Sequence, residues 1–261
     1  MSAVSVATWN VNSLRARLEH VLRWCEESSP DILALQETKV ENADFPAAEL
    51  AAAGYQALYH GQKSYNGVAL LARNEGTLLT TAIDDLEDPQ CRVLGASYAG
   101  ITVLNLYVPN GSEVGSDKYA YKLRWLDALI PYAARLNQQQ PLVIVGDFNI
   151  APEDRDVHDP AAWEGQVLVS APERERLQAL QALGFVDLFR CFDQPEKSYS
   201  WWDYRAMAFR RNRGLRIDLI LANAAARAAA VSCEIDRAPR TWERPSDHTP
   251  VVARFEVQAT G

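Results

Sequence analysis

Cysteine is scarce and scattered: Cys25, Cys91, Cys191 and Cys233 lie far apart, with no C-x-x-C pair among them. That favours buried free thiols in a reducing compartment, a cytoplasm of bacterial type, over disulfides or a thiolate zinc site. No apolar run approaches the roughly 18 residues that span a bilayer, so no membrane segment is expected. Met1-Ser2-Ala3-Val4 brings no basic n-region, so no secretory signal is expected either. A P-loop, a G-x-G-x-x-G turn and a G-x-S-x-G elbow are also missing, which argues against a nucleotide-cofactor enzyme and a serine hydrolase. Positive charge is in deficit: 26 Lys and Arg face 34 Asp and Glu, for a net charge of −8. Such a chain does not coat nucleic acid indiscriminately, although a local basic field is compatible with an enzyme that cuts it. No linker, repeat or low-complexity tract divides the 261 residues. With candidate site residues near both termini, one domain is expected.

What is present is alternation of strand-like and helix-like patterns. Helical spacing predicts helices over 13–27, 45–53, 119–137 and 172–183, with Pro131 a kink or break in the third. Strands are expected over 4–9, 31–35, 67–72, 92–98, 101–108, 141–145, 199–204, 216–221, 231–236 and 251–257. Loops are expected over 84–90, 109–117, 151–171 and 205–214.

The richest stretch is Pro141-Leu142-Val143-Ile144-Val145-Gly146-Asp147-Phe148-Asn149, a short β-branched run ending in an acid and an amide. A strand covered on both faces reads this way, and open α/β sheets place ligands at the carboxyl ends of such strands. One motif of this kind is equally a plain Asp/Gly/Asn turn. Others end alike, however: Trp9 runs into Asn10-Val11-Asn12, and Leu35 into Gln36-Glu37-Thr38-Lys39. Asp218 lies inside the apolar Arg216-Ile217-Asp218-Leu219-Ile220-Leu221, and Pro245-Ser246-Asp247-His248-Thr249-Pro250 opens the last strand. An acid within an apolar strand is costly unless it is paired or ligates a metal.

Asn10, Glu37, Asp147, Asn149 and Asp247 offer hard oxygen donors, suited to Mg²⁺ or Mn²⁺ rather than zinc. Such an ion implies phosphoryl chemistry. His248 beside Asp247 would donate to a phosphate oxygen, and Asp218 is its natural partner. His20, His60 and His158 carry no such context. Arg205, Arg210, Arg211, Arg213 and Arg216 form a basic cluster, read either as a phosphate-binding face or as a solvated loop.

Taken together, Ala7-Thr8-Trp9-Asn10-Val11-Asn12-Ser13-Leu14-Arg15, Leu35-Gln36-Glu37-Thr38-Lys39, Leu106-Tyr107-Val108-Pro109-Asn110-Gly111, Gly146-Asp147-Phe148-Asn149-Ile150-Ala151, Leu215-Arg216-Ile217-Asp218 and Pro245-Ser246-Asp247-His248 resemble the exonuclease III family of abasic-site endonucleases. That family lies in the endonuclease–exonuclease–phosphatase superfamily, related to deoxyribonuclease I. The resemblance covers essentially the whole chain. It implies a four-layer α/β sandwich, with two mixed sheets face to face, helices outside and the site at one edge. It further implies a monomer that cleaves double-stranded DNA with Mg²⁺, Mn²⁺ being able to substitute. The substrates implied are abasic sites, cut on their 5′ side, nicks, and blocked 3′ ends.

Carried over, Glu37 would be the main metal ligand, with Asn10 and Asp247 helping and Asp147 and Asn149 nearby. Asp147 would orient or deprotonate the attacking water or protonate the leaving oxygen. Asn149 and His248 would hold the scissile phosphate, Asp218 would buttress His248, and Tyr107 would reach the phosphate or leaving group. Asn12, Asn110, Trp201, Arg205, Leu215 and Ile217 would contact the substrate. Among them Trp201, Leu215 and Ile217 match a wall that receives a flipped abasic sugar, although some members have an aromatic at the place of Leu215. Trp201 and Trp202 are alternatively plain core aromatics. In the 163–172 loop, Val167, Leu168 and Val169 read either as an exposed wedge or as packing under the next helix. Two rival functions remain: a phosphatase of the same superfamily on a non-DNA substrate, and a catalytically silent nucleic-acid-binding regulator. The intact acid, amide and histidine positions weigh against the second.

Overall fold

The computed structural model describes residues 2–98, 100–137 and 140–257. In chain order the first strands are β1 (Ser2–Asn10), β2 (Ile32–Gln36), β3 (Gln56–His60), β4 (Val68–Ala72), β5 (Thr77–Thr80) and β6 (Val93–Tyr98). They are followed by β7 (Ile101–Tyr107), β8 (Leu142–Asp147), β9 (Val186–Asp187), β10 (Asp218–Ala222), β11 (Ala230–Ile235) and β12 (Val251–Val257). The helices are α1 (Leu14–Ser28), α2 (Ala47–Ala52), α3 (Asp117–Leu136), α4 (Pro160–Trp163), α5 (Ala171–Ala182) and α6 (Ala224–Ala229).

Two six-stranded mixed sheets result, in the orders β11-β12-β1-β2-β4-β3 and β5-β6-β7-β8-β10-β9. Strand periodicity of two sorts their side chains. Val143 and Val145 of β8 point to the core between the sheets, with Val6, Ala34, Leu70, Val103, Ile220 and Phe255. Leu142 and Ile144 point outward, against Trp125, Leu126 and Leu129 of α3 and Leu177 and Leu180 of α5. On the other sheet Trp9, Leu33 and Leu71 pack against Leu14, Val21 and Trp24 of α1. Helix, sheet, sheet, helix: the four layers that the resemblance implies are present. Two glycines make the close approaches feasible. At φ +144° a Cβ on Gly146 would sit 1.9 Å from the Leu106 carbonyl oxygen, and one on Gly67 2.1 Å from the Thr38 hydroxyl.

Several expectations need correction. Of the kink or break expected at Pro131, the break does not occur: α3 runs through it to Leu136. Pro131 lies on the exposed face, where water can serve the carbonyl that loses its partner. Residues 199–204 form no strand; Trp201 alone makes isolated bridges, to Leu215 and to His248, before the chain turns away. The expected loop 151–171 contains a 3₁₀ turn, Asp154–Asp156, and the short α4, whose Asp159 cap accepts the Ala162 N–H at 3.2 Å. β3, β5, β9 and α6 were not foreseen. β5 exposes Leu78 and Leu79, and α6 is almost pure alanine, so neither shows an amphipathic period.

Candidate active site

Pairing registers explain how distant segments meet. β1 and β2 run parallel, with Asn10 opposite Gln36, so Asn10 and Glu37 leave the first sheet side by side. β7 and β8 run parallel with Tyr107 opposite Asp147, and β10 runs antiparallel to β8 with Asp218 opposite Asp147. β12 is antiparallel to β1, so the segment entering it, with Asp247 and His248, lies at the same edge. Acids at the ends of parallel strands and at the starts of antiparallel ones therefore share one rim.

At its centre His248 is buried between two carboxylates. Its Nδ1 lies 2.9 Å from Asp218 Oδ2 and its Nε2 3.7 Å from Asp147 Oδ2. Burial pulls the imidazole down, but Asp218 and then Asp147 more than reverse this, taking it up to about 10. His248 is thus an imidazolium at neutral pH. For Asp147 burial wins with help from Asp218, against His248 and the hydrogen bonds from the Asn10 amide and the Asn149 N–H, and its carboxyl rises to about 7. A carboxyl poised there can exchange a proton at physiological pH.

The Asn10 amide ties this centre to a second one. Its Nδ2 donates to Asp147 Oδ2 at 2.9 Å and to Glu37 Oε1 at 3.0 Å. Glu37 is held below the usual carboxylate range, since Lys39 and the Asn10 amide outweigh its burial. The Lys39 ammonium lies 2.8 Å from Glu37 Oε2 and donates to Asn12 Oδ1 at 2.6 Å. Asn12 in turn donates to Asp247 Oδ1 at 3.1 Å, and Trp201 Nε1 donates to Asp247 Oδ2 at 3.0 Å. These bonds and the nearby His248 charge outweigh burial and keep Asp247 ionised.

Does this donor set suit a hard cation? Glu37 and Asp247 are ionised, Asn10 adds an amide oxygen, and a side-chain cation, Lys39, already rests against Glu37 and Asn12. Oxygen donors without thiolate fit Mg²⁺ or Mn²⁺. Asp147, Asp218 and His248 also bring one ligand atom each within 4.8 Å of one another. There, however, the imidazolium itself supplies the positive charge.

Asn149 and Asn110 form the third side. Asn110 Nδ2 donates to Asn149 Oδ1 at 2.9 Å and Asn149 Nδ2 to the Val108 carbonyl at 3.0 Å. Each amide thus spends one of its two N–H groups on these bonds. Tyr107, under Arg92 at 4.8 Å, stays a neutral phenol: burial raises it, and Glu37 and Asp147 raise it further. Asn12, Ser13, Glu37, Lys39 and Asn149 all hold φ between +44° and +87°. Left-handed backbone at so many non-glycine residues around one rim is strain of the kind that collects at functional sites.

The substrate wall and the arginines are only partly as expected. Leu215 and Ile217 are buried, packed with Ala151, Val157, Leu168 and Val169, and Trp201 alone of the wall is partly exposed. They back the wall; they do not form its face. Leu168 and Val169 are buried with them, so the wedge reading of that loop is wrong: the cluster supplies the burial that the local sequence does not show. Arg216 is also buried, bonded to Asp156 at 2.7 Å and Asp187 at 2.6 Å, and belongs to the core rather than to a phosphate-binding face. Arg205, Arg210, Arg211 and Arg213 remain exposed. Sequence reasoning missed Arg17, which donates to the Asn12 and Pro245 carbonyls and to the Tyr204 hydroxyl. It also missed Ser246, whose hydroxyl donates to the Asn10 carbonyl at 2.7 Å and accepts the His248 N–H at 3.2 Å.

Comparison with known proteins agrees with this geometry. Residues 7–248 match the model of the endonuclease/exonuclease/phosphatase family. The chain belongs to this family. Exodeoxyribonuclease III of Haemophilus influenzae is 34% identical over 95% of this chain and 98% of its own, and the exodeoxyribonuclease of Bacillus subtilis is 32% identical with the same coverage. Among solved structures of the family, a 3′ phosphatase, NExo, from Neisseria bound to a product DNA hairpin superposes with a TM-score of 0.95 at 41% identity, covering 97% of this chain and 99% of its own. An AP endonuclease from Archaeoglobus fulgidus gives a TM-score of 0.94 at 40% identity, covering 97% of this chain and 100% of its own.

Proposed function

We propose that this member of the family is a DNA repair nuclease that hydrolyses phosphodiesters beside abasic sites and removes blocked or terminal groups at 3′ ends, with Mg²⁺ as its ion. One observation carries the reading: the Asn10 amide bridges Glu37 and Asp147, joining a cation-binding acid to a proton-exchanging one beside a buried imidazolium. Relatives named exodeoxyribonuclease, 3′ phosphatase and AP endonuclease support the substrate class.

Glu37, Asn10 and Asp247 would hold the ion, which would neutralise charge on the scissile phosphate. Asn149 and Asn110 each offer the phosphate a remaining amide N–H, and His248 donates from Nε2, its Nδ1–H held by Asp218. Asp147 receives the proton of the attacking water as the new P–O bond forms. The P–O3′ bond breaks on the far side, and the Tyr107 phenol, beside Glu37 and Asp147, would steady the departing oxygen. Trp201, backed by Leu215 and Ile217, faces the deoxyribose. Asn12 and Arg205 contact the strand at the margin. The free thiols are in keeping with a reducing compartment. No helix among the described residues is long and apolar enough to cross a membrane.

The test is cleavage of end-labelled duplexes carrying an abasic site, a nick or a 3′-phosphate, each with Mg²⁺ or with excess chelator. Incision 5′ of the abasic residue and 3′ trimming, both lost in chelator, are expected. Failure to cut any DNA with Mg²⁺ or Mn²⁺ would remove the reading.

A further inference from the structure

Lys122 sits where α3 should be apolar. Tyr119, Lys122, Trp125, Leu126, Leu129 and Tyr132 make the buried stripe of that helix, and Lys122 is fully enclosed within it. Its ammonium donates to the Asn149 carbonyl at 2.6 Å, to the Asn110 carbonyl at 3.1 Å and to Glu173 Oε1. Glu173, equally buried, also accepts the Leu168 N–H and the Ser170 N–H at 3.1 Å each and the Ser170 hydroxyl at 2.6 Å. The Tyr119 hydroxyl is hydrogen-bonded to that of Ser170 at 2.6 Å.

A buried ion pair is weak evidence of stability, because desolvation offsets most of the attraction and apolar replacements are often as stable. This pair does something packing cannot. It fastens two site loops, through Asn110 and Asn149, to the start of α5. Asn149 has a left-handed backbone, φ +50°, and its carbonyl has nothing to gain from the β8 ladder, which ends at Asp147. The ammonium therefore fixes the strained peptide whose side chain receives the Asn110 amide.

We propose that Lys122 is a positioning residue: its ammonium, neutralised by Glu173, clamps the main chains of Asn110 and Asn149 so that both amides face the scissile phosphate. The proposal rests on the nuclease reading given above for what those amides bind. Its consequence is a transition-state effect, since a displacement of about 1 Å in a positioning group can cost on the order of 100-fold in rate.

The experiment compares wild type, Lys122→Met, and Lys122→Met/Glu173→Gln for kcat, KM and Tm on abasic duplex. Lys122→Met strands a buried carboxylate and should lower both Tm and kcat. The double variant removes that charge and should regain most of the Tm, while kcat stays about 10- to 100-fold down and KM within about threefold, because both carbonyls still lack their donor. Recovery of kcat together with Tm would reduce the pair to a structural one and overturn the proposal. In ¹⁵N-asparagine-labelled protein, the side-chain amide signals of Asn110 and Asn149 should shift in the double variant; unmoved signals would equally overturn it. Wild type in the same assay tests the nuclease reading separately. If wild type cuts nothing, that reading falls and the amide signals alone judge the clamp.

Discussion

Asp218 stands opposite Asp147 across the β8–β10 ladder, and His248 lies against both carboxylates. Two acids at adjacent positions of one sheet cannot both stay ionised cheaply without a cation between them. Asp147 and His248 therefore titrate as a coupled pair, and the pH profile of the enzyme should show it. Cleavage should rise through about 7 as Asp147 loses its proton and fall as His248 loses its own near 10. Asp218→Asn removes the anion that raises both groups. Both limbs should move to lower pH and the maximum rate should drop. An alkaline limb that stays in place would show that Asp218 does not govern His248.

Asp147 also makes a prediction about stability. Its carboxyl is raised from 3.8 to about 7, so the folded state resists ionisation and is penalised as pH climbs above 4, fully so above 7. Each pKa unit is worth about 1.4 kcal/mol, so Asp147→Asn should relieve a few kcal/mol at pH 8.5, less what His248 loses with its neighbour. The variant should melt higher than wild type at pH 8.5, show little difference at pH 4, and cut no DNA. Equal melting temperatures at both pH values would mean that Asp147 is ionised at no cost.

Glu37 lies at a left-handed φ of +50°, and both its carboxylate oxygens are engaged, by Asn10 and Lys39. Glu37→Gln keeps the shape and removes the charge that would hold the ion. Cleavage should fall by orders of magnitude while the circular dichroism spectrum is preserved. Mg²⁺ should raise the Tm of wild type but not of the variant. A variant stabilised by Mg²⁺ as much as wild type would place the ion elsewhere.

The strand ends that carry chemistry were legible because buried strands admit few polar residues, and Asp147, Asp218 and Glu37 each interrupt an apolar run. The resemblance then supplied the layers, which no periodicity gives. Lys122 and Arg216 escaped for a related reason. Their partners, Glu173, Asp156 and Asp187, are tens of residues away, so Lys122 drew no reading and Arg216 was grouped with the neighbouring arginines. The 167–169 run left two readings open, and the fold decides for packing. Its burial depends on Val157, Leu215 and Ile217, neighbours that only the folded chain brings together.

Burial of Arg216 sharpens the expectation for DNA affinity. Arg210, Arg211 and Arg213 are exposed, so neutralising them to Gln should weaken binding across sequences and flatten its salt dependence, by about 0.9 for each phosphate that an arginine no longer neutralises. Arg216→Gln should instead remove the guanidinium that Asp156 and Asp187 share, leaving Asp156 paired with Arg190 alone, and lower the Tm. Should the triple variant keep the wild-type slope in a salt titration, the strand passes another face, with Lys39, Lys63 or Lys118 the next to test.

Leu168 gives the last prediction. Its φ of +76° is unfavourable for a branched side chain, yet its N–H is held by Glu173 and its carbonyl accepts the Ala151 N–H at 2.8 Å. The side chain fills the cluster behind Leu215 and Ile217, whose outer edge is Trp201. Replacement by glycine would relax the backbone, worth roughly 1–2 kcal/mol, but empty the cluster, at a cost of roughly 2–5 kcal/mol. The cavity term is larger, so Leu168→Gly should lower Tm by several degrees. Loosening the wall should also alter the ratio of abasic-site incision to 3′ trimming, since only the former places a sugar against Trp201 from within a duplex. Both rates measured on the same preparation decide the matter. A lower Tm with an unchanged ratio would make Leu168 core alone, and selectivity would then rest with Trp201 itself.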